Sequence, residues 1–387
     1  MFHTDLTPFG IDMERLASER LNRLQSAMNR EGLGALLLTD FLNLRYATNT
    51  VMMLGLRATG IQRFAIIPAE GEPLICQREL SRKSHHPTLV FDAYMFCMRP
   101  AMATDDFVNQ AVTGLKQLGA AGERVGIDVL NLAAIEGLKE ADIRLVDGWP
   151  AINAARVVKT ADEIQLIRWT TKAKEHGYDL VRRALRESDV PEDKLSRIML
   201  DYLMDQGFEA GSEFISIYDS STIDTRPHNE PMGADLVVKE GELVICDATV
   251  AGPGGYYSDF ARTFSHGKPT AETKQRYKEA YHSLQEALKL VRPGPCIEAF
   301  KRFGKGASAS TRLPGFDGYH GVGLCVYESP WLRGGDPEKY MISLEENMIV
   351  ALEVNHYPVK LEHLLRVTAD GAEILSGYPV EPDLLPA

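Results

Sequence analysis

Two aspartates, Asp247 and Asp259, stand in otherwise apolar surroundings within V-I-C-D-A-T-V-A-G-P-G-G-Y-Y-S-D-F-A-R-T-F, residues 244–264. The apolar run from Leu243 ends on Asp247, a Gly/Pro cluster at 252–255 turns the chain, and a second run returns through Asp259. β-rich arms about a Gly-Pro-Gly-Gly turn predict a hairpin. A buried carboxylate needs a cation, a hydrogen-bond donor or a proton, because stripping its water is costly. Two of them on adjacent strands suggest a metal.

Three downstream residues extend the set. His320 lies in G-Y-H-G-V-G-L, where flanking glycines are expected to let backbone approach a ligand or metal closely. Glu353 sits inside the apolar run I-V-A-L-E-V, and Glu362 opens the next strand in K-L-E-H-L-L-R-V. Singly, each acid reads as a surface or salt-bridged residue and His320 as an ordinary hydrogen-bonded histidine. Together, four carboxylates and one imidazole form a hard, mostly oxygen donor set suited to Mn²⁺, Co²⁺, Fe²⁺ or Zn²⁺. Two divalent ions roughly 3.5–4 Å apart, bridged by carboxylates and a water or hydroxide, would satisfy so many charges.

Neighbouring residues carry weaker signals. Residues 252–255 have no lysine in P-loop spacing and read as a turn, not a phosphate cradle. Arg262 is expected to fix the hairpin through a salt bridge, and Cys246 and Cys325 to pack. His356 and His363 flank the last two acids, in either supporting or exposed positions.

The elements that must position these residues follow from periodicity. Leu21, Leu24 and Met28 at helical spacing predict a helix over 18–31, stopped at Gly32. Stretches 34–38, 63–68, 73–77 and 124–128 read as strands, and 105–118 as a helix. The alternation predicts an α/β domain of roughly 150 residues. Thr160, with Glu163 three residues on, forms a capping box for a helix running to about 185. The boundary is placed just before it, giving domains 1–155 and 156–387, packed together because no Gly/Ser-rich linker separates them. The second half adds helices over 192–206 and 271–291, and strands over 214–218, 349–354 and 361–368.

At 387 residues the chain exceeds one ordinary core. A net charge of −12 argues against nucleic acid or an anionic membrane surface as the main partner. The five cysteines are dispersed, without a C-x-x-C pair, which suits a reducing compartment and gives no zinc ribbon. The N-terminus lacks a basic stretch followed by an apolar one, and no apolar run approaches the ~20 residues of a membrane helix. The expected location is the cytoplasm.

Longer motifs carry a resemblance. R-L-N-R-L-Q-S-A-M and N-L-R-Y-A-T, then V-K-T-A-D-E-I, then G-Y-Y-S-D-F-A-R-T-F span much of the chain in one order. They resemble the metallopeptidase family of methionine aminopeptidase, aminopeptidase P, prolidase and creatinase. The resemblance implies a creatinase/prolidase-type α/β N-terminal domain. It also implies an α+β pita-bread catalytic domain with a curved, mostly antiparallel sheet. By motif, Asp247 would chelate one ion, His320 and Glu353 would hold the other, and Asp259 and Glu362 would bridge them.

His228, 19 residues before Asp247 in R-P-H-N-E-P, resembles the family histidine that contacts substrate. Tyr327 stands seven residues past His320, where the prolidase and aminopeptidase P branch carries a second histidine. A phenol of ordinary pKa ~10 donates a hydrogen bond but shuttles protons poorly near neutral pH. The spacing of the two aspartates is one residue longer than usual and resembles the dimethylsulfoniopropionate lyase branch, yet Thr249 and Val326 stand where that branch has acids.

The implied activity is amide hydrolysis in a small molecule or short peptide, an Xaa-Pro dipeptide first. A hydroxide held between two ions would attack, with His228 and Glu353 assisting. The alternatives are creatinase-like C–N hydrolysis, C–S elimination from a sulfonium compound, and a non-catalytic peptide-binding module. A homodimer is also implied.

Overall fold

The computed structural model describes residues 5–51, 63–78, 88–91, 100–187, 189–209, 214–219, 237–295, 315–332, 343–356, 358–381 and 384–385. Contacts divide the chain into Asp12–Arg156 and a second unit made of Met1–Ile11 with Val157–Ala387.

Among the described residues, the unit Asp12–Arg156 has six strands: β1 (Ala35–Leu38), β2 (Arg63–Pro68), β3 (Leu74–Arg78), β4 (Thr88–Phe91), β5 (Arg124–Ile127) and β6 (Arg144–Asp147). They run in the order β4-β3-β2-β1-β5-β6, mixing antiparallel pairs around β2 with parallel pairs at β1/β5, β5/β6 and β3/β4. β1 is buried along its length, so A-L-L-L shows no alternation. The helix Met13–Glu31 starts earlier than its apolar spacing predicts, because Asp12 accepts hydrogen bonds from the Glu14 and Arg15 amides. Gly32 ends it at φ +64°. The helix Phe41–Thr48, capped by Asp40, was not legible as one from D-F-L-N-L-R-Y.

The second unit contributes β7 (Val190–Pro191), β8 (Phe214–Asp219), β9 (Val237–Val238), β10 (Leu243–Ala251), β11 (Tyr257–Ser258), β12 (Ala261–Ser265), β13 (Gly315–Gly321), β14 (Glu328–Leu332), β15 (Ile349–His356), β16 (Val359–Val367) and β17 (Ala372–Ile374). All of its strand pairs are antiparallel. β10 is flanked by β8 on one side and by β11 and β12 on the other, and a five-stranded sheet runs β14-β13-β15-β16-β17. Leu352, Val354, Leu361 and Leu365 of that sheet pack on Tyr277, Ala280 and Leu284 of the helix Ala271–Leu288. This burial leaves the opposite sheet face for polar chemistry. An N-terminal α/β unit and a second unit of antiparallel sheets with helices match the expected class.

The expected capping box forms. Glu163 Oε2 accepts from the Thr160 amide at 2.7 Å, and Thr160 Oγ1 accepts from the Glu163 amide at 3.2 Å. It starts the helix Ala161–Glu187, which packs along the hairpin. The turn at 252–255 is buried on this helix, where a Cβ on Gly252 would meet Thr170 Oγ1 at 2.1 Å.

Candidate metal centre

Asp247 and Asp259 do not sit opposite each other as a simple hairpin would place them. Asp247 pairs with Ala261, while Asp259 lies in the break between β11 and β12. A break in a ladder frees carbonyls that need donors, and the helix Ala161–Glu187 supplies them. Lys174 Nζ donates to Phe260 O at 2.9 Å and Ser258 O at 3.3 Å. Tyr178 donates from its hydroxyl to Phe260 O at 2.7 Å and accepts from the Ala248 amide at 3.2 Å. Thr249 adds a hydroxyl 3.4 Å from Asp259 Oδ1. Asp259 is thereby held rigid in the interior.

The five-stranded sheet brings the other three residues. Glu353 on β15 and Glu362 on β16 are direct cross-strand partners, and His320 on β13 pairs with Ala351 of β15. His320 Nε2 lies 3.3 Å from Glu353 Oε1 and 3.6 Å from Asp259 Oδ2. Its Nδ1 sits 3.2 Å from Gly321 O and donates there, which turns Nε2 toward the carboxylates. The two sheets are tied at this point. Arg262 donates to Glu362 O, and Thr263 Oγ1 donates to Lys360 O at 2.8 Å and accepts from the Lys360 amide at 3.0 Å.

Among the described residues, Asp259, His320 and Glu362 each offer a ligand atom, all within 4.8 Å of one another, in the pattern of a metal-holding group. Buried His320 Nε2 and both buried Glu362 carboxylate oxygens make no hydrogen bond among the described residues, and their charge contacts are longer, to Glu353 at 3.3 Å and to Lys360 at 3.5 Å. Buried polar atoms are nearly always hydrogen-bonded, so three converging carboxylate and imidazole atoms that make only longer charge contacts fit a divalent cation.

The protonation behaviour agrees. Burial raises the carboxyls of Asp259 and Glu362, and neighbouring carboxylates add to it: Asp247 for Asp259, and Asp259 for Glu362. Burial works against a charged His320, but Glu353 and the charge of Asp259 outweigh it and lift its pKa. A site that binds extra protons is one that exchanges them for a cation.

Lys360 is the residue that sequence reasoning missed. Its ammonium lies 2.5 Å from Asp247 Oδ2 and 3.5 Å from both Glu353 Oε2 and Glu362 Oε2. Burial opposes its charge, but Asp247, Glu353 and Glu362 overcome that and raise its pKa well above the usual lysine value. The signal was in V-K-L-E, because residues two apart on a strand share a face. Lys174 was also overlooked, although it falls four residues after Thr170 and four before Tyr178 on the buried stripe of its helix. Burial lowers its pKa to about 8, against the pull of Asp259, Asp247 and Glu362.

Other expectations resolve differently. His228 lies outside the described residues. Tyr327 is half-exposed, with its ring 4.6 Å from that of His320 and 5.7 Å from that of Trp331. Burial of the phenol and the charges of Asp259 and Glu353 push it up to about 12. The glycines after His320 are required by the chain itself: a Cβ on Gly321 would meet Ser329 O at 2.1 Å, and one on Gly323 would meet Glu328 Oε1 at 1.9 Å. Among the described residues, Arg262 acts through carbonyls of Ala261, Glu362, Ser376 and Tyr378, not through the expected salt bridge. His356 and His363 are buried, against Ser283 and Ser376. Cys246 is fully buried, and burial holds its thiol well above the usual range.

Comparison with known proteins agrees with this architecture. The model for metallopeptidase family M24 matches residues 165–369, and that for the creatinase/prolidase N-terminal domain matches residues 20–158. The chain belongs to metallopeptidase family M24. It is similar to the dimethylsulfoniopropionate lyase DddP of Roseovarius nubinhibens, 24% identical over 97% of this chain and 88% of that protein. Its fold is that of dipeptidase PepE from Mycobacterium ulcerans, with TM-score 0.73, 21% identity and coverage of 96% of this chain and 98% of that one. The Xaa-Pro dipeptidase from Bacillus anthracis gives TM-score 0.72 at 20% identity, covering 94% and 99%. No helix among the described residues is long and apolar enough to cross a membrane.

Proposed function

We propose that the chain is a metal-dependent hydrolase that cleaves an amide C–N bond in a small substrate, with Xaa-Pro dipeptides first. The observation that carries this reading is the convergence on Asp259 of buried His320 Nε2 and Glu362 oxygens that make no hydrogen bond among the described residues. Asp259, His320 and Glu362 would hold the ion, with Asp247 and Glu353 alongside. When bound, a divalent ion there supplies Lewis-acid polarisation of a carbonyl and acidifies water.

The chain's own residues do the rest. Glu353 is assigned the proton transfer: it takes the proton released as water adds to the carbonyl carbon and delivers it to the nitrogen as the C–N bond breaks. Its carboxylate lies 3.3 Å from His320 Nε2 on one oxygen and 3.5 Å from Lys360 Nζ on the other. Tyr327, with its pKa at about 12, keeps its proton at neutral pH and is assigned as a hydrogen-bond donor to the oxyanion. His228 is assigned the same task.

The test is hydrolysis of an Xaa-Pro dipeptide panel after reconstitution with Mn²⁺ or Co²⁺. Turnover abolished by chelation and by Asp259→Ala is expected. Turnover indifferent to both would overturn the reading.

A second reading is favoured by the lyase relative, which aligns over 97% of this chain, and by the long Gly-Pro turn. In it a base of the site removes a proton from the carbon β to sulfur in a sulfonium substrate. The C–H pair becomes the new C=C bond as C–S breaks, releasing a sulfide. Headspace detection of that sulfide would promote this reading over hydrolysis.

A further inference from the structure

We propose that Lys360 is a built-in competitor for one of the two cation positions, so that the chain holds one ion tightly and admits a second only by displacing its own ammonium. The inference rests on the metal-centre reading above and deepens it by assigning an asymmetry to the pair of ions.

The geometry divides the cluster in two. On one side, Asp259, His320 and Glu362 present ligand atoms within 4.8 Å of one another, and among the described residues His320 Nε2 and the Glu362 oxygens make no hydrogen bond. On the other side stands Asp247, whose Oδ2 is 2.5 Å from Lys360 Nζ. The same ammonium lies 3.5 Å from Glu353 Oε2 and from Glu362 Oε2. A cation at the centre of three carboxylates occupies the electrostatic position of a metal ion.

A divalent ion coordinating Asp247 at the usual ~2.0–2.2 Å from its oxygen would sit beside that ammonium, and like charges at such separation repel strongly in a dry interior. The ammonium must therefore swing away before a second ion is bound. Its freedom to do so is limited to the side chain. The Lys360 backbone is pinned by Thr263 Oγ1 at both its amide and its carbonyl.

Lys174 does not play this part. Its ammonium is spent on Phe260 O and Ser258 O, behind the cluster. Lys360 alone among these two points its charge into the acids.

The test counts ions, independently of turnover. Wild type, Lys360→Gln, Lys360→Arg and Asp259→Ala chains are loaded with Co²⁺, desalted, and measured by inductively coupled plasma mass spectrometry. Titration followed by the visible absorption of bound Co²⁺ gives the affinities. Circular dichroism verifies that each variant is folded. The expected result is one retained ion per chain in wild type and Lys360→Arg, and two in Lys360→Gln, whose second site tightens by about tenfold or more as the like-charge repulsion is removed.

Two retained ions in wild type would overturn the inference, and so would a single ion in folded Lys360→Gln. If wild type keeps two ions and Asp259→Ala none, the inference fails while the metal-centre reading stands. If no chain retains an ion, both fail.

Discussion

Glu353 and Glu362 face each other directly across the β15/β16 pair, both buried. Like charges at such a position destabilise a sheet unless a cation lies between them. Lys360 Nζ, 3.5 Å from an oxygen of each, offsets that repulsion when metal is absent, so Glu362→Gln is expected to leave the melting temperature in EDTA at pH 7 little changed. The wild-type chain is expected to gain about 2.7 kcal/mol from Mn²⁺ at a hundredfold excess over its dissociation constant. The variant loses that gain. Differential scanning calorimetry with and without Mn²⁺ checks both halves.

The link between the long helix and the hairpin turn runs through one carboxylate. Glu163 accepts from the Thr160 amide at 2.7 Å and, on its other oxygen, from the Tyr256 hydroxyl at 2.6 Å. Thr160→Ala is expected to cost about 1 kcal/mol, the usual loss of a helix cap. Tyr256→Phe is expected to cost about 1.5 kcal/mol or more, since it removes a hydrogen bond to a charged group. Urea denaturation of both variants measures these losses, and a value near zero for Tyr256→Phe would contradict the link.

Gly321 is required by chain crowding next to His320. A Cβ there would meet the Ser329 carbonyl oxygen at 2.1 Å, and backbone cannot step aside as a flexible side chain would. Gly321→Ala is expected to cost about 2 kcal/mol or more from overpacking, and to weaken metal retention by moving His320. Unaltered stability and metal content would show that the strand pair has room.

His356 offers a pH-dependent signal. Burial lowers its pKa, against the charge of Glu279 and with that of Arg276, and its Nε2 lies 3.0 Å from Ser283 Oγ. Unfolded, the imidazole takes its proton near pH ~6.5. Between that pH and the lower folded value the unfolded chain binds more protons, so stability falls as pH falls. The contribution is full above pH ~6.5 and lost as pH drops through the folded pKa. The stability advantage of wild type over His356→Gln is expected to shrink between pH 7.5 and 5.0. A difference independent of pH would contradict the assignment.

The acids and the histidine were legible because each interrupts an apolar strand or stands among glycines, and an unpaired charge there needs a partner. Register was harder. The alternation around Asp247 and Asp259 predicts a hairpin, but not that the ladder breaks at Asp259 and is completed by Lys174 and Tyr178 from a helix some 80 residues earlier. Such donors are invisible to local periodicity. Lys360 was legible in principle, two residues from Glu362 on one strand face, but a lysine near the end of an apolar run reads first as a solvated edge. The glycines near His320 read as a close approach, and at Gly321 and Gly323 neighbouring chain already demands it, since chain and ligand require the same absence of a side chain.

The central claim is that Asp259, His320 and Glu362 converge on a divalent ion. The most direct measurement is an anomalous difference map from crystals of the chain grown with Mn²⁺. A strong peak bounded by Asp259, His320 Nε2 and Glu362, and lost in Asp259→Ala crystals, is the expected result. No peak among these three residues at saturating Mn²⁺, with the side chains ordered, would contradict it.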